Sequence, residues 1–190
     1  MTEPILHHYD ISPFSEKVRL IFGLKGVRWA SVIIPQIMPK PDYTALTGGY
    51  RRTPSLQVGA DIYCDTRLIA EELERRYPLP TLFPGAAEGL HRAIEAWAES
   101  TLFWPAARAT VGVNAAHMLP EFHADRAAMR GLPPPTPDRV RAAGLLAEAQ
   151  LPPQITWLTG MLADGQDYLL GDRPGLADFA VYHCLWFLDR

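Results

Sequence analysis

Cysteine is nearly absent from this 190-residue chain; Cys64 and Cys184 are its two thiols. They form no CxxC pair, and two thiols in a chain of this length make neither a disulfide framework nor a zinc-ligand set. They read as reduced side chains packed as small hydrophobes. An excess of basic charge is also missing. The formal net charge is −3, with the two signs interspersed, which argues against non-specific binding to nucleic acid. No apolar run approaches the ~18 residues that a membrane span requires. No basic-then-apolar leader opens the chain, so a cytoplasmic setting is expected. Histidines with metal-ligand spacing are lacking as well. His7 and His8 are adjacent on a strand and point to opposite faces, while His117 and His123 merely flank Pro120. No metal site is expected, and no internal repeat is visible.

What the chain does have is proline. Its 18 prolines gather at segment edges and divide the sequence into readable elements. Residues 4–9 read as a strand. Ser12-Pro13 then opens a helix over 13–25, with serine as N-cap and proline at the first helical position. Gly26 is its stop. Residues 27–34 are β-branched and give a second strand, and strand-helix-strand demands a parallel pair. The segment 35–52, with Pro35, Pro39, Pro41, Gly48 and Gly49, reads as loop or broken helix. Residues 53–58 and 62–64 form a hairpin around Gly59-Ala60-Asp61. Asp65-Thr66 caps a helix that closes at Tyr77-Pro78. The order is βαβ, loop, ββα within residues 1–78. A Pro-rich linker over 79–84 is the expected boundary, and 85–190 reads as an all-helical domain. One long helix is expected over 86–116, with Leu90, Ile94, Trp97, Ala98 and Leu102 on its apolar face and Pro105 as a kink. Residues 131–135 connect, a single helix runs over 136–161, and a last one runs from Gly175 through Leu188. The apolar Leu185-Trp186-Phe187-Leu188 just before Arg190 leads us to expect further chain beyond that residue.

Three stretches carry chemistry. The first N–H groups of a helix lack internal partners and its macrodipole is positive there. Ser12 therefore marks a place for an anion. With a serine there and no cysteine, the anion would be a sulfur brought in by a ligand. Thr53-Pro54 opens a strand and is well placed for a cis bond at a tight turn. That arrangement would leave the Thr53 N–H and C=O free to pair with a bound peptide. Asp65-Thr66 lies at a strand-to-helix junction, where a carboxylate and a hydroxyl can hold an α-amino and an α-carboxylate group. Lys40, Arg51 or Arg52 could take a distal carboxylate. Each feature also has a plainer reading, as a helix cap or an edge proline. Together they fit a small peptide that carries a thiol.

On these residues the chain resembles the cytosolic glutathione transferases of the serine, bacterial-like type. The matching stretches are Ser12-Pro13-Phe14-Ser15 with Lys17-Val18-Arg19, then Thr53-Pro54-Ser55-Leu56, then Asp65-Thr66-Arg67-Leu68-Ile69-Ala70, and late in the chain Gly171 and Leu176-Ala177-Asp178. The resemblance implies a thioredoxin-like first domain, an all-helical second domain and glutathione as co-substrate. It implies that Ser12 hydrogen-bonds the glutathione thiolate, with Tyr9 or Ser15 as alternatives. It assigns Thr53 and Pro54 to the cysteinyl backbone, and Asp65 and Thr66 to the γ-glutamyl end. Lys40 and Arg52 are its candidates for the glycine carboxylate. A small hydrophobic electrophile would lie near Tyr9, Phe103 and Trp104. A detoxifying conjugation, a homodimer and no metal are implied with it. One departure is Gly175, where the family usually places Ser or Thr at the last helix start; glycine is a poorer cap by only about a few tenths of a kcal/mol. A thiol-disulfide reductase would want cysteine at position 12 or 15. A non-catalytic glutathione-binding or protein-interaction module on the same fold is the remaining alternative.

Overall fold

The computed structural model describes residues 2–189. Four strands form one mixed sheet in the order β2-β1-β3-β4, with β1 at Ile5–His8, β2 at Ala30–Ile33, β3 at Ser55–Val58 and β4 at Asp61–Cys64. β1 and β2 are parallel, joined by the crossover helix α1 (Pro13–Lys25). β3 runs antiparallel to β1, with Ser55 opposite His7, and β4 runs antiparallel to β3, with Cys64 opposite Ser55. This register has a consequence for function. The exit of β1, the entry of β3 and the exit of β4 all lie at one end of the sheet. Those are the chain positions of Ser12, Thr53 and Asp65.

The helix starts follow local chemistry. Ser12 caps α1 through its Oγ, which accepts from the Ser15 N–H at 3.2 Å. Gly26 ends the helix at φ +61, where its N–H turns back to the Phe22 and Gly23 carbonyls. A short α2 (Pro41–Leu46) forms within the proline-rich loop, and α3 (Thr66–Arg76) follows β4. Leu6, Val18, Ile21, Phe22, Leu56, Ile69 and Leu73 are buried between the sheet and α1 and α3.

The helical region departs from the sequence reading in three places. The long helix is α4 (Glu88–Trp97) and α5 (Phe103–Val113) joined by a π-turn at Ala98–Leu102. Pro105 has no N–H for the Thr101 carbonyl one turn back. The chain accommodates this by inserting a residue, so that the Phe103 N–H reaches the Ala98 carbonyl. The expected helix over 136–161 is two, α7 (Pro137–Glu148) and α8 (Leu151–Met161). Pro152 and Pro153 lack the donors that would continue α7, and instead suit the first turn of a new helix. A helix is also present at α6 (Pro120–Ala128), in a stretch to which the sequence reading gave no element of its own. α5 and α7 cross in backbone contact: a Cβ on Gly112 would lie 2.6 Å from the Gly144 Cα.

The last helix, α9 (Leu176–Leu188), belongs to both cores. Leu176 and Phe179 pack into the sheet-side cluster, while Ala177, Ala180, Val181 and Cys184 pack into the helical one. Its start explains the glycine. The Asp178 carboxylate accepts from the Gly175 N–H at 2.9 Å and from the Leu169 N–H at 2.8 Å, doing the work of a cap. A Cβ at 175 would meet Pro84 Cδ at 2.7 Å, His91 Cε1 at 2.8 Å and the Leu82 carbonyl oxygen at 2.9 Å. Capping preference alone would make Gly175→Ser stabilising. The crowding predicts the reverse, a loss of about 1–3 kcal/mol, read as a lower denaturant midpoint at unchanged slope.

Candidate active site

The site is built at the sheet end described above. Ser12 stands between β1 and α1, its N–H donating to the Tyr9 carbonyl at 3.1 Å. It is 2% exposed. Ser15, one turn on, is fully buried, and its Oγ has no partner among the described residues. Thr53–Pro54 is cis, as the sequence led us to expect. Among the described residues, nothing in the chain engages the Thr53 backbone N–H or C=O. Asp65 has φ +80, unusual for a residue with a side chain. Its carboxylate accepts from the Arg67 N–H at 2.9 Å and caps α3. An open depression of about 440 Å³ beside it is lined by Cys64, Asp65, Arg67, Leu68, Glu71 and Glu99.

Thr66 leads to a feature that the sequence reading missed. Lys17, on the buried face of α1, has no exposed surface. Its Nζ donates to Glu95 Oε1 at 2.5 Å, to Glu99 Oε1 at 2.6 Å and to Thr66 Oγ1 at 3.4 Å. Arg92 reaches the second Glu95 oxygen at 3.2 Å. Burial opposes ionisation of Glu99, but its neighbours His183 and Lys17 outweigh this and hold its carboxyl at about 2. Burial also pushes His183 below its ordinary value, and Lys17 is the side chain that touches both glutamates.

Lys40 is buried, 3% exposed, and among the described residues no carboxylate pairs with its ammonium. Its Nζ donates to the Arg51 carbonyl and to Thr53 Oγ1, both at 3.3 Å, and lies 5.6 Å from the Tyr9 and Tyr43 rings. Burial, and then the Arg126 guanidinium, push it down to about 8. Arg52 is exposed and contributes its carbonyl to the Tyr43 hydroxyl. Phe103 is a core residue, packed on Phe14 at 4.7 Å and on Trp104 at 5.2 Å, whereas Trp104 is 40% exposed. Tyr9 accepts a hydrogen bond from Arg126 Nη2 at 3.0 Å. Asp125 and Arg126, both on α6, are site neighbours that the sequence reading passed over. The signal was Pro120-Glu121, a proline followed by an acid, which favours a helix start.

The structure thus brings Tyr9, Ser12, Lys40, Thr53, Pro54, Asp65 and Thr66 to one end of the sheet. A family model for the glutathione S-transferase N-terminal domain matches residues 6–81, and one for the C-terminal domain matches residues 70–190. The chain belongs to the glutathione S-transferase family. No curated protein matches the sequence. Among solved structures, a GST-like protein from Pseudomonas syringae is 42% identical, with a TM-score of 0.73, over all of this chain and 58% of that one. The chain therefore spans under two thirds of that relative's length. A glutathione S-transferase from Rhodospirillum rubrum shares the fold at 23% identity and a TM-score of 0.72, over 98% of this chain and 78% of that one. A bacterial maleyl pyruvate isomerase of the Zeta class shares it at 21% and 0.68, over 96% of this chain and 81% of that one.

Two expectations follow from the buried lysines. Lys17→Met leaves Glu95 and Glu99 without their shared cation and is expected to cost about 3–5 kcal/mol. Adding Glu95→Gln and Glu99→Gln recovers part of this, as denaturant midpoints will show. Burial holds Lys40 at about 8 in the folded chain, against an ordinary value of 10.5. Between those values the unfolded chain holds more protons at this position, so stability from Lys40 rises with pH across that window. Lys40→Met is expected to remove the rise, measured as the change in midpoint between about pH 7.5 and about pH 10.

Proposed function

We propose that the chain binds glutathione, holds it as the thiolate and adds it to a small hydrophobic electrophile. One observation carries this reading. The strand register puts the starts of α1 and α3, both positive helix ends, at the same end of the sheet as Thr53 and the buried Lys40. A tripeptide with a thiol between two carboxylate-bearing ends matches that spread of donors. Asp65 and Thr66 would take the γ-glutamyl end, the Thr53 backbone the cysteinyl residue, and Lys40 with Arg51 the glycine carboxylate.

Ser12 is the residue assigned to the sulfur. A hydroxyl offers one donor and two acceptor positions. The cap to Ser15 uses an acceptor position, which leaves the O–H free to donate to a thiolate. A hydrogen bond to a charged acceptor contributes about 1.5–3 kcal/mol, equivalent to about one to two pKa units. An ordinary thiol, near 8.5, becomes substantially ionised at neutral pH. The thiolate is then the nucleophile, and the protein contributes position and electrostatics.

Ser12→Ala is expected to keep most of the glutathione affinity and to lose about one to two decades of conjugation rate. Ser15→Ala should leave the rate intact. A Ser12→Ala rate within about twofold of the parent would assign the thiolate to another donor, Tyr9 first. A second reading, glutathione binding without turnover, is favoured by the near-complete burial of Ser12 and Lys40. Calorimetric binding that is not matched by conjugation across a panel of electrophiles would favour it. A homodimer and a cytoplasmic role in detoxification complete the proposal by family likeness.

A further inference from the structure

α6 lies between α5 and α7, which pack directly on each other. It is joined to them by a turn at 114–119 and by a connector in which Gly131 has φ +66 and three prolines follow Leu132. Its polar side chains reach the loops of the sheet domain. The Asp125 carboxylate accepts from the Arg51 guanidinium and, at 3.0 Å, from the Met38 N–H. Arg126 donates to Tyr9 Oη and to the Gln36 carbonyl, each at 3.0 Å, and braces Asp125 at 2.6 Å. Burial opposes ionisation of Asp125, but the Met38 N–H and the two guanidinium groups outweigh it and hold the carboxyl below its usual range. Arg51 and Arg126 thus share a single carboxylate, and Lys40 lies near them without touching it.

We propose that Asp125 determines specificity by standing in for the ligand's carboxylate. It occupies, on Arg51 and the Met38 N–H, the position that the terminal carboxylate of an incoming thiol peptide takes, and α6 is the gate that such a carboxylate opens. This rests on the glutathione reading above. Lys40 is 3% exposed and has Arg126 and Asp125 of α6 as its charged neighbours, so a carboxylate reaches its ammonium only if something there moves. Shifting α1 or α9 would break apolar packing in both cores. Shifting α6 breaks charged and polar contacts, and an arriving carboxylate replaces the central one of these on Arg51. A ligand without the carboxylate would leave a partly buried guanidinium without a counter-charge. The gate therefore selects for the acid end of the ligand. It also lowers apparent affinity by the fraction of molecules in which α6 is closed.

The test compares the protein with Asp125→Asn by calorimetric titration with glutathione and by amide hydrogen exchange across residues 120–128. We expect exchange at 120–128 to quicken in Asp125→Asn while β1 and α1 stay protected, and glutathione affinity to rise by about tenfold. Saturating glutathione should quicken the same amides in the parent. Unchanged exchange, or an affinity that is unchanged or lower, overturns the gate and leaves the glutathione site standing. If neither protein takes up glutathione, the glutathione reading falls, and the exchange comparison alone decides the gate. Should Asp125→Asn lose protection throughout, Arg126→Gln, which cuts the Tyr9 and Gln36 contacts, carries the same two expectations.

Discussion

A single buried ammonium ties the two halves of the molecule together. Lys17 comes from α1, in the sheet domain, and its partners Glu95 and Glu99 come from the first long helix of the helical region. Arg92 pairs with Glu95 and also with Glu71 and Glu88, so the buried ammonium sits at the inner end of a wider charged network. A buried set of this kind adds little stability over good apolar packing, but any arrangement that strands one member is costly. It therefore fixes how α1 meets α4. The π-turn takes part in this. Glu99 lies within it, and the turn exists because Pro105 cannot complete the helical ladder. A proline six residues downstream thus helps to set where one of the two carboxylates points. The same ammonium touches Thr66, at the start of α3, so the domain junction and the proposed γ-glutamyl position share an atom.

The elements of the sheet domain were legible because each announces itself locally. Ser12-Pro13, Gly59-Ala60-Asp61 and Asp65-Thr66 are punctuation whose chemistry acts within three or four residues, and the strands between them are β-branched. Their convergence at one sheet end followed from the crossover and the hairpin. Lys17 was not legible. On the helix it falls among Phe14, Val18 and Ile21, a charged residue on an apolar stripe, and only partners some eighty residues away make that stripe consistent. α6 was missed because its N-cap is Leu119, with no side-chain cap, and because polar contacts to distant loops hold it. The break before α8 was present in Pro152-Pro153 and was overrun by the apolar periodicity on either side. Gly175 looked like a weakened cap, yet its absent side chain makes room for Pro84 and His91.

Family membership sets the fold, and chemistry on a shared fold varies. An isomerase and a transferase stand among the solved structures that this chain resembles. In this chain several polar groups at the sheet end are enclosed. Ser12 and Lys40 are covered, and Tyr43, with its hydroxyl on Ser55 at 2.6 Å, has its pKa pushed up by burial. Removing water from such a site strengthens every interaction within it, because the local dielectric falls. A single serine hydroxyl at a helix start is a modest donor in water and a stronger one in a closed cleft.

Enclosure has an opposite face. The more completely the donors are covered, the fewer molecules at any instant admit a ligand, and the covering contacts must be ones that the ligand itself can replace. Apolar packing cannot be exchanged for a carboxylate; an Arg51–Asp125 pair can. Lys40 makes the same point from inside. Burial and Arg126 hold it at about 8, so it keeps most of its charge at neutral pH, and an arriving anion would hold that proton more firmly. Asp125 answers Arg51 and Arg126 directly while Lys40 stands beside them with carbonyl and hydroxyl partners only, so positive charge is in excess here, and that excess is what the proposed carboxylate would meet.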